Sequence, residues 1–409
     1  IKMANKIGVI GGGPAGMIAA GFAASNGKDV TLIEKNNPLG KKMFITGKGR
    51  CNITNASPIE IFFENIITNR CFLYSSFYSF SNEDIIRLLE SYGLKTKVER
   101  GNRVFPISDK SNDVLKALEK FLKSNDVNIL LNTVVIDLKY KNNKFIAKFN
   151  SDTNMEFDKI IIATGGKSYP LTGSTGDGYN FAKKLGHKIE SLKPSLVPIE
   201  VEEIWIKKVQ GLALKNVTLG AYIDNKKIHE EFGEMIFTHY GISGPIVLSI
   251  SNYINRYNVK NVRLCIDLKP ALSRDVLDKR ILRDFNTYKN KHIKNGLDEL
   301  LPQRLIPIII NVSCVEPEKP INQITKWERN KIIDTIKGLS LTIRGFRPIE
   351  EAIVTSGGIS TDDIDSSTME SKLIPGLFFA GEIIDVDALT GGYNLQIAYS
   401  TGYLAGTNV

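Results

Sequence analysis

The sequence predicts an α/β fold in which a mostly parallel sheet is interrupted by a β-rich insertion. Near the N-terminus, a short apolar run leads into a glycine-rich turn and then into a segment rich in Ala, Ile and Phe. Two later apolar runs also end in glycine turns, at 161–166 and at 377–382. Between them, residues 195–268 break into short strand-like stretches separated by Gly, Asn and Asp, which is typical of a β-rich region.

Residues 6–34 form the clearest unit, which consists of a strand, a turn, a helix and a second strand. Lys6–Ile10 is a short apolar run, and Pro14 begins the helix after the turn, a position where its fixed φ is favourable. Gly27 ends the helix, and residues 30–34 form a second buried strand. This order of elements predicts a β-α-β unit of a parallel sheet.

The remaining patterns divide the chain into three predicted domains. Helical patterns lie at 83–92, 113–124 and between 271 and 338, and strand patterns lie at 127–131, 134–140, 144–149 and 159–163. After about 341 the strands and glycine turns return and lead to a last helix over 395–405. We therefore expect a discontinuous nucleotide-binding domain (1–194 and 341–409), an inserted β-rich substrate domain (195–270) and a helical subdomain (271–340).

The turn at 11–16 has the spacing G-x-G-x-x-G between a strand and a helix. Gly11 permits the tight turn, Gly13 lets backbone amides approach a pyrophosphate, and Gly16 lets the helix pack closely on the strand. The helix start adds free N–H groups and partial positive charge. Glu34 ends the second strand, where a carboxylate accepts hydrogen bonds from a ribose diol. The pattern predicts a dinucleotide site; a purely structural glycine turn is the alternative.

Two further glycine motifs favour FAD over NAD. The run at 161–166 ends in ATGG, the second glycine turn that is typical of flavoproteins with two dinucleotide folds. The run at 377–382 ends in AGE, and we expect Glu382 or Asp385 to lie near the ribityl chain and pyrophosphate. Gly392 precedes the last helix, whose amides at Asn394 and Leu395 are expected to face the pyrimidine edge of the flavin ring. A helix N-terminus there stabilises the negative charge that develops on reduction.

With these motifs in place, the chain resembles the HI0933-like (YhiN- or BaiN-like) flavoproteins, which include an aminoacetone oxidase and belong to the glutathione-reductase-like superfamily. The resemblance spans nearly the whole chain in the family's order. The matching stretches are IGVIGGGPAGMIAA, GKKMFITGKGRCNITN, NRVFPISDKS, ATGGKSYPLTGSTGDGYNFAKKLGH, GEMIFTHYGISGPIVLSIS, TSGGIS and GLFFAGEIIDVDALTGGYNLQIAYSTGYLAG.

The resemblance implies a Rossmann-type FAD domain, an inserted β-barrel-like domain and a small helical domain. It also implies a set of FAD contacts. These are the glycine turn with Pro14 and Ala15, Glu34, Lys35, Lys41, Lys42, Arg50, Cys51, Asn52, Val135 by its backbone, Thr164, Gly165, Gly381, Glu382, Asn394 and Leu395. Alternatives stay open: Lys41 and Lys42 as a solvated basic pair, Arg50 as a brace of its loop, and Val135 as strand core.

The predicted activity is that of an FAD-dependent oxidoreductase, which moves a hydride between a small molecule and flavin N5 with O2 or NAD(P)H as redox partner. His239 is the best acid/base candidate because an imidazole titrates near neutrality, although lone histidines are more often structural. Tyr393 stacks on the flavin edge or donates a hydrogen bond there, with core packing as the alternative. The scattered cysteines and histidines predict neither a metal site nor dithiol chemistry.

The net charge of +9, from 53 basic and 44 acidic residues, has three explanations: steering of anionic ligands, binding of nucleic acid, or a lysine-rich proteome. Nucleic acid is disfavoured because no binding motif is recognisable, yet a flavoprotein acting on tRNA is the main alternative. A non-catalytic flavin-binding electron-transfer protein is a further one. No apolar run is long enough for a membrane span, and the scattered cysteines fit a reducing compartment. A cytoplasmic location is therefore expected.

Overall fold

The computed structural model describes residues 5–409, which fall into two compact units. The first unit comprises the chain up to Ser195 together with Ile349–Val409, and the second unit is Leu196–Pro348. The N- and C-terminal segments therefore share one folding unit, and the second unit is inserted between them.

Strands and short helices alternate along the chain. The strands are β1 (Lys6–Ile10), β2 (Asp29–Ile33), β3 (Thr54–Asn55), β4 (Ile66–Thr68), β5 (Thr96–Glu99), β6 (Arg103–Pro106), β7 (Asn128–Leu130), β8 (Val135–Lys141), β9 (Lys144–Phe149), β10 (Asn154–Phe157), β11 (Lys159–Ile162), β12 (Lys193–Ser195), β13 (Ile199–Val201), β14 (Ala213–Ile223), β15 (Lys226–Phe237), β16 (Gly241–Ser243), β17 (Arg263–Asp267), β18 (Leu339–Phe346), β19 (Val354–Ser356), β20 (Leu377–Phe379) and β21 (Asp387–Ala388). The α-helices are α1 (Pro14–Ser25), α2 (Ile59–Asn65), α3 (Tyr74–Ser79), α4 (Asn82–Ser91), α5 (Ser111–Ser124), α6 (Asp177–Lys184), α7 (Pro245–Ile254), α8 (Arg274–Thr287), α9 (Ile306–Val312), α10 (Lys326–Lys337) and α11 (Tyr393–Asn408). Within the described residues, none of these helices combines the length and apolarity needed to cross a lipid bilayer.

The first unit is built on a five-stranded parallel sheet with the order β20-β11-β1-β2-β7. Its central strands are almost continuously apolar because helices cover both faces of such a sheet. The prediction of an α/β fold with a parallel Rossmann-type sheet is confirmed. Strand β20 comes from the C-terminal segment and pairs with β11, so the two ends of the chain complete one sheet.

Helices α1 and α11 pack unusually closely because small residues face each other. A Cβ atom added to Gly402 would lie 2.5 Å from the carbonyl oxygen of Ala15, and one added to Gly406 would lie 2.4 Å from that of Ala19. The four-residue spacing on both helices puts these positions on one face of each. The N-terminal and C-terminal segments therefore meet backbone to backbone.

The second unit contains a closed barrel with the order β13-β16-β15-β14-β17-β18, which confirms the predicted barrel-like insertion. Its long hairpin turns at Asp224 and Asn225, whose positive φ values of 48° and 62° match the twist of the two strands. Helices α8 to α10 lie in the same unit. Strand β18 pairs with β13 and β17, so residues 341–346, which the sequence placed in the nucleotide-binding domain, belong to the barrel.

We expect Gly402→Ala to destabilise the first unit by about 1–3 kcal/mol, because the added methyl group meets the backbone of Ala15. An Ala in an unobstructed helix would instead stabilise by up to about 1 kcal/mol. The measurement is the midpoint of urea unfolding. Gly345→Ala, in strand β18 of the second unit, is the control for a methyl group added without a clash, since a Cβ atom there meets nothing within 4 Å. Equal midpoints for both variants would contradict the close helix contact.

Candidate functional site

A large cavity opens in the first unit where parallel strands end. It contains about 1320 Å³ of space, part of it open to solvent. Gly11 follows β1, Glu34 follows β2, Thr164 lies just after β11, and Gly381 lies just after β20. Parallel strands present their carboxyl ends at one edge of the sheet, which is where ligands bind in folds of this kind.

The glycine turn between β1 and α1 lets the backbone form one wall of the cavity. Gly11 has a φ of 107°, and a Cβ atom there would lie 2.4 Å from the carbonyl oxygen of Ala163. A Cβ atom on Gly16 would lie 1.8 Å from the carbonyl oxygen of Gly11. Gly16 therefore allows α1 to pack closely on the turn. Gly13 differs, because a Cβ atom there meets nothing within 4 Å. The backbone at Gly13 therefore borders open space, where a ligand can approach the first amides of α1.

The Glu34 carboxylate is held rigidly at the end of β2. Its Oε2 accepts a hydrogen bond from the Gly12 amide at 2.7 Å, and its Oε1 accepts two from Asn36, from the backbone and the side-chain amide, both at 2.8 Å. Each carboxylate oxygen can accept more than one hydrogen bond. The group is therefore oriented by the glycine turn and keeps acceptor capacity toward the cavity that it lines.

The start of α11 forms the opposite wall. Gly392 caps this helix with a φ of 101°, and Asn394 and Leu395 in its first turn line the cavity. The amides of a first helical turn have no partner within the helix. The Asn394 side chain donates to the carbonyl oxygen of Ala388 at 2.7 Å and accepts from the Ala388 amide at 3.0 Å. That side chain braces the preceding loop, which leaves the helix amides to face a ligand.

Two ion pairs tie separate segments together around the cavity. Lys42 contacts Glu382 at 2.7 Å, and Ser168 hydrogen-bonds to both side chains. Lys35 contacts Asp177 at 2.5 Å, which joins the end of β2 to the start of α6. The two acidic partners thus neutralise cavity-lining lysines, and each pair connects chain segments more than a hundred residues apart.

Asp385 lies between the cavity-lining residues Glu382 and Val386 but does not itself line the cavity. Its carboxylate accepts a hydrogen bond from Asn69 at 3.0 Å. Burial, followed by the nearby negative charge of Asp387, raises the pKa of Asp385 to about 6. The Asp385 carboxyl group therefore keeps its proton to a higher pH than an ordinary aspartate does.

Most of the cofactor residues predicted from the sequence line this one cavity. They are Gly11, Gly13, Pro14, Ala15, Glu34, Lys35, Lys41, Lys42, Val135, Thr164, Gly165, Gly381, Glu382, Asn394 and Leu395. The remaining predicted residues lie outside its lining: Gly16, Arg50, Cys51, Asn52, Asp385 and Gly392. Their proposed cofactor contacts stay predictions.

The Arg50–Asn52 stretch is turned toward protein. The Arg50 guanidinium lies 4.0 Å above the Phe105 ring and contacts Glu99 at 2.9 Å and Asp109 at 3.1 Å, which matches the alternative that it braces its loop. Cys51 is buried with a φ of 61°. The Oδ1 atom of Asn52 is also buried, and it has no hydrogen-bond partner among the described residues.

The two predicted catalytic residues lie apart from the cavity lining. Tyr393 is buried and packs edge-on against Phe62, with ring centroids 5.1 Å apart, so core packing accounts for it. His239 belongs to the second unit, where it is exposed beside Tyr240 in the turn between β15 and β16. The acid/base role of His239 and the contact of Tyr393 with the flavin edge stay predictions.

Several lining residues escaped the sequence prediction. Thr133 and Val134 line the cavity and lie just before Val135. Their position next to a predicted contact residue is the sequence feature that could have identified them. Ile353 and Val354 reach the cavity from the segment after the second unit. Nothing in an apolar dipeptide marks it as part of a ligand site, because its position is set by distant partners, such as β12, which pairs with β19, and Ser168, which donates to the Ile353 carbonyl oxygen.

The residues present fit a bound dinucleotide. The Thr164 hydroxyl is buried and has no hydrogen-bond partner in the part of the chain that the structure describes, although Thr164 lines the cavity. An unpaired buried hydroxyl costs free energy, and a ligand atom would satisfy it. Open space at Gly13 and free amides at two helix starts match a group that carries phosphates and ring carbonyls.

Comparison with known proteins identifies the family. The model of the HI0933-like protein Rossmann domain matches residues 5–408. The chain belongs to this family. A 3-dehydro-bile acid delta(4,6)-reductase of Clostridium scindens is 32% identical and is aligned over 98% of both chains. A ribosomal RNA dihydrouridine synthase of Escherichia coli is 29% identical over 97% of this chain and 95% of its own.

Solved structures support the same fold at much lower identity. The 3-ketosteroid-delta4-(5alpha)-dehydrogenase of Rhodococcus jostii has a TM-score of 0.53 and 15% identity, over 100% of this chain and 97% of that one. The predicted membership of the HI0933-like family is confirmed. The predicted assignment to the oxidoreductases is confirmed as well, through the relative that is itself a reductase.

We expect Cys51 to resist alkylation in the folded protein, because burial raises its pKa to about 12 and keeps the thiol neutral. Cys71 and Cys314 are exposed and serve as internal controls. The measurement is iodoacetamide labelling at pH 8, followed by mass spectrometry of peptides, with and without denaturant. Labelling of Cys51 at the rate of Cys71 in the native protein would contradict its burial.

Proposed function

We propose that the chain binds FAD in the cavity and reduces a carbon–carbon double bond conjugated with a carbonyl group. The observation that carries this proposal is the convergence on one cavity of the first turn of α1, Glu34 at the end of β2 and the first turn of α11. These three features suit, in order, a pyrophosphate, a ribose diol and the carbonyl edge of a flavin ring.

The choice of FAD over a nicotinamide dinucleotide rests on the C-terminal segment. A site for NAD needs the glycine turn and the acidic residue after β2, and both lie in the N-terminal segment. Here Gly381, Glu382, Asn394 and Leu395 extend the cavity well beyond those features. The extra length suits the second half of FAD, which carries the ribityl chain and the three-ring flavin.

The reaction class comes from the two relatives. A delta(4,6)-reductase of a 3-dehydro-bile acid removes ring double bonds conjugated with the 3-carbonyl, and a dihydrouridine synthase removes the double bond conjugated with a carbonyl of uracil. Both reactions add a hydride to the carbon remote from the carbonyl and a proton to the adjacent carbon. When bound, FAD supplies the hydride equivalent for such a reduction. We infer that NADH or NADPH is the ultimate donor.

The residues of the chain have separate tasks in this proposal. The amides at the start of α11 stabilise negative charge at the carbonyl edge of the flavin ring, because a helix N-terminus carries partial positive charge. Glu34 and the glycine turn anchor the far end of the cofactor. The Lys42–Glu382 pair holds the segment after β2 against the C-terminal segment, which fixes the positions of two segments that line the cavity.

We expect Glu34→Ala to weaken FAD binding by about ten-fold or more, because hydrogen bonds from the ribose hydroxyls to a charged acceptor are lost. The dissociation constant is measured by fluorescence titration of the apoprotein with FAD. Glu119→Ala is the control, since Glu119 is an exposed carboxylate on α5 of the same unit. Equal FAD affinity in both variants would remove the ribose assignment.

With NADH or NADPH under anaerobic conditions, we expect the FAD-loaded protein to add two hydrogens to a conjugated carbonyl compound. The substrates to test are a 3-oxo steroid with 4,6 double bonds and a uridine-containing RNA oligonucleotide, with mass spectrometry as the readout. The saturated 3-oxo steroid is the matched control. Bleaching of the flavin by amines, with release of peroxide in air and no reduction of either substrate, would contradict the reductase assignment and identify an oxidase.

A further inference from the structure

The excess of positive charge is concentrated in the second unit. Leu196–Pro348 has 24 Lys and Arg residues against 17 Asp and Glu, a net charge of +7. The longer first unit has 29 against 27, which leaves only +2 of the total of +9. A uniformly lysine-rich composition would give the longer unit the larger share. The charge therefore characterises the second unit and not the whole chain.

Within that unit, the most basic stretch is 279–294. It has six Lys and Arg residues and one acidic residue, Asp284, which Arg280 contacts at 2.7 Å. Lys279, Lys289 and Lys291 are exposed, and none of them forms an ion pair with any described residue. Unneutralised, solvent-exposed lysines of this kind are available to the phosphates of a polyanion.

Aromatic rings accompany these lysines. The Lys291 ammonium lies 4.3 Å from the centre of the Tyr288 ring. Trp327, in the first turn of α10, leaves 60% of its surface exposed, and Lys331 lies 5.4 Å from its ring. An exposed tryptophan next to a cation offers a flat face on which an unpaired nucleobase can stack.

Contacts between their segments bring the lysines and the aromatic rings together on one part of the unit. The carbonyl oxygen of Lys291 accepts a hydrogen bond from the Ile321 amide at 3.0 Å, five residues before α10 begins. Arg329 of α10 contacts Asp278 of α8 at 2.7 Å.

A second contact between the helices fixes their direction. Arg274 near the start of α8 contacts Asp334 near the end of α10 at 2.9 Å, so the two helices run antiparallel. The first turn of α10 therefore lies beside the middle of α8, next to Asp278 and Lys279, and α8 leads on into the basic loop. We call Lys279, Lys289, Lys291, Tyr288 and Trp327 the α8–α10 surface.

We propose that the α8–α10 surface binds single-stranded RNA, with its lysines on the phosphates and Trp327 stacked on a base. This inference rests on the proposed function, because a uracil base within RNA is one of its conjugated carbonyl substrates. Charge complementarity favours RNA, which carries one negative charge on every nucleotide, over a bile acid, whose single carboxylate would engage at most one or two of these lysines. Exposed rings favour a single strand over a duplex, since the bases of a duplex already stack on each other.

The test uses the full-length, FAD-loaded protein and a fluorescein-labelled, uridine-rich single-stranded RNA of 12 nucleotides. Binding is followed by anisotropy over a range of salt concentrations. For the triple variant Lys279→Glu, Lys289→Glu, Lys291→Glu, we expect the RNA affinity to fall at least ten-fold. The plot of log K against log salt should also become less steep, its slope decreasing in magnitude by about 2, because three phosphate contacts are lost. For Trp327→Ala, we expect about a five- to hundred-fold loss at an unchanged salt slope.

The matched control reverses three exposed lysines of the first unit, Lys95→Glu, Lys123→Glu and Lys141→Glu, which gives the same change in net charge. An equal loss of RNA affinity in this control would overturn the surface, because net charge alone would then explain binding. If the protein bound duplex DNA of the same length as tightly as the RNA, that result would also overturn the proposed RNA surface. Urea unfolding midpoints verify that all variants are folded.

Binding and chemistry are scored separately. Weak RNA binding by the triple variant, together with undiminished reduction of the 3-oxo steroid, supports the surface and leaves the proposed function intact. Strong, surface-dependent RNA binding without reduction of any substrate would overturn the proposed function while the surface stands. Reduction of the steroid by a protein that does not bind RNA at low salt would overturn the surface alone.

Discussion

The close contact between α1 and α11 is the constraint on which the candidate site depends. Gly402 and Gly406 bring the last helix against Ala15 and Ala19 of the first, with no side chain between the two backbones. Because of this contact, the first turns of both helices open onto the same cavity. A larger residue at Gly402 would move one helix start away from the other, and with it one end of any ligand that spans both.

Strand pairing explains why the second unit can be inserted without disturbing the sheet. The chain leaves the first unit after Ser195 and returns at Ile349, where β12 and β19 pair antiparallel. The C-terminal segment then adds β20 next to β11. A barrel with its own closed hydrogen bonding has no open edge to compete for those strands. Each unit therefore satisfies its own backbone, and binding surfaces on the second can vary without cost to the first.

Electrostatics differ between the two units in a way that suits different tasks. Around the cavity, Lys35 is paired with Asp177 and Lys42 with Glu382, so each of these two lysines is neutralised by a carboxylate. On the second unit, Lys279 and Lys289 have no such partners among the described residues. Paired charges position neighbouring segments, whereas unpaired surface charges act on ligands over a Debye length of about 8 Å at physiological salt.

The sequence by itself determined the parallel sheet, the β-rich insertion and the cavity residues that lie in glycine motifs, such as Gly11, Thr164 and Gly381. These signals are local, because a turn with positive φ or a close backbone approach demands glycine wherever it occurs. Only the tertiary structure decided that Arg50 points to Glu99 and Phe105, that β18 belongs to the barrel, and that Ile353 and Val354 reach the cavity. Those outcomes depend on partners far away in the chain, and no local pattern encodes the identity of a distant partner.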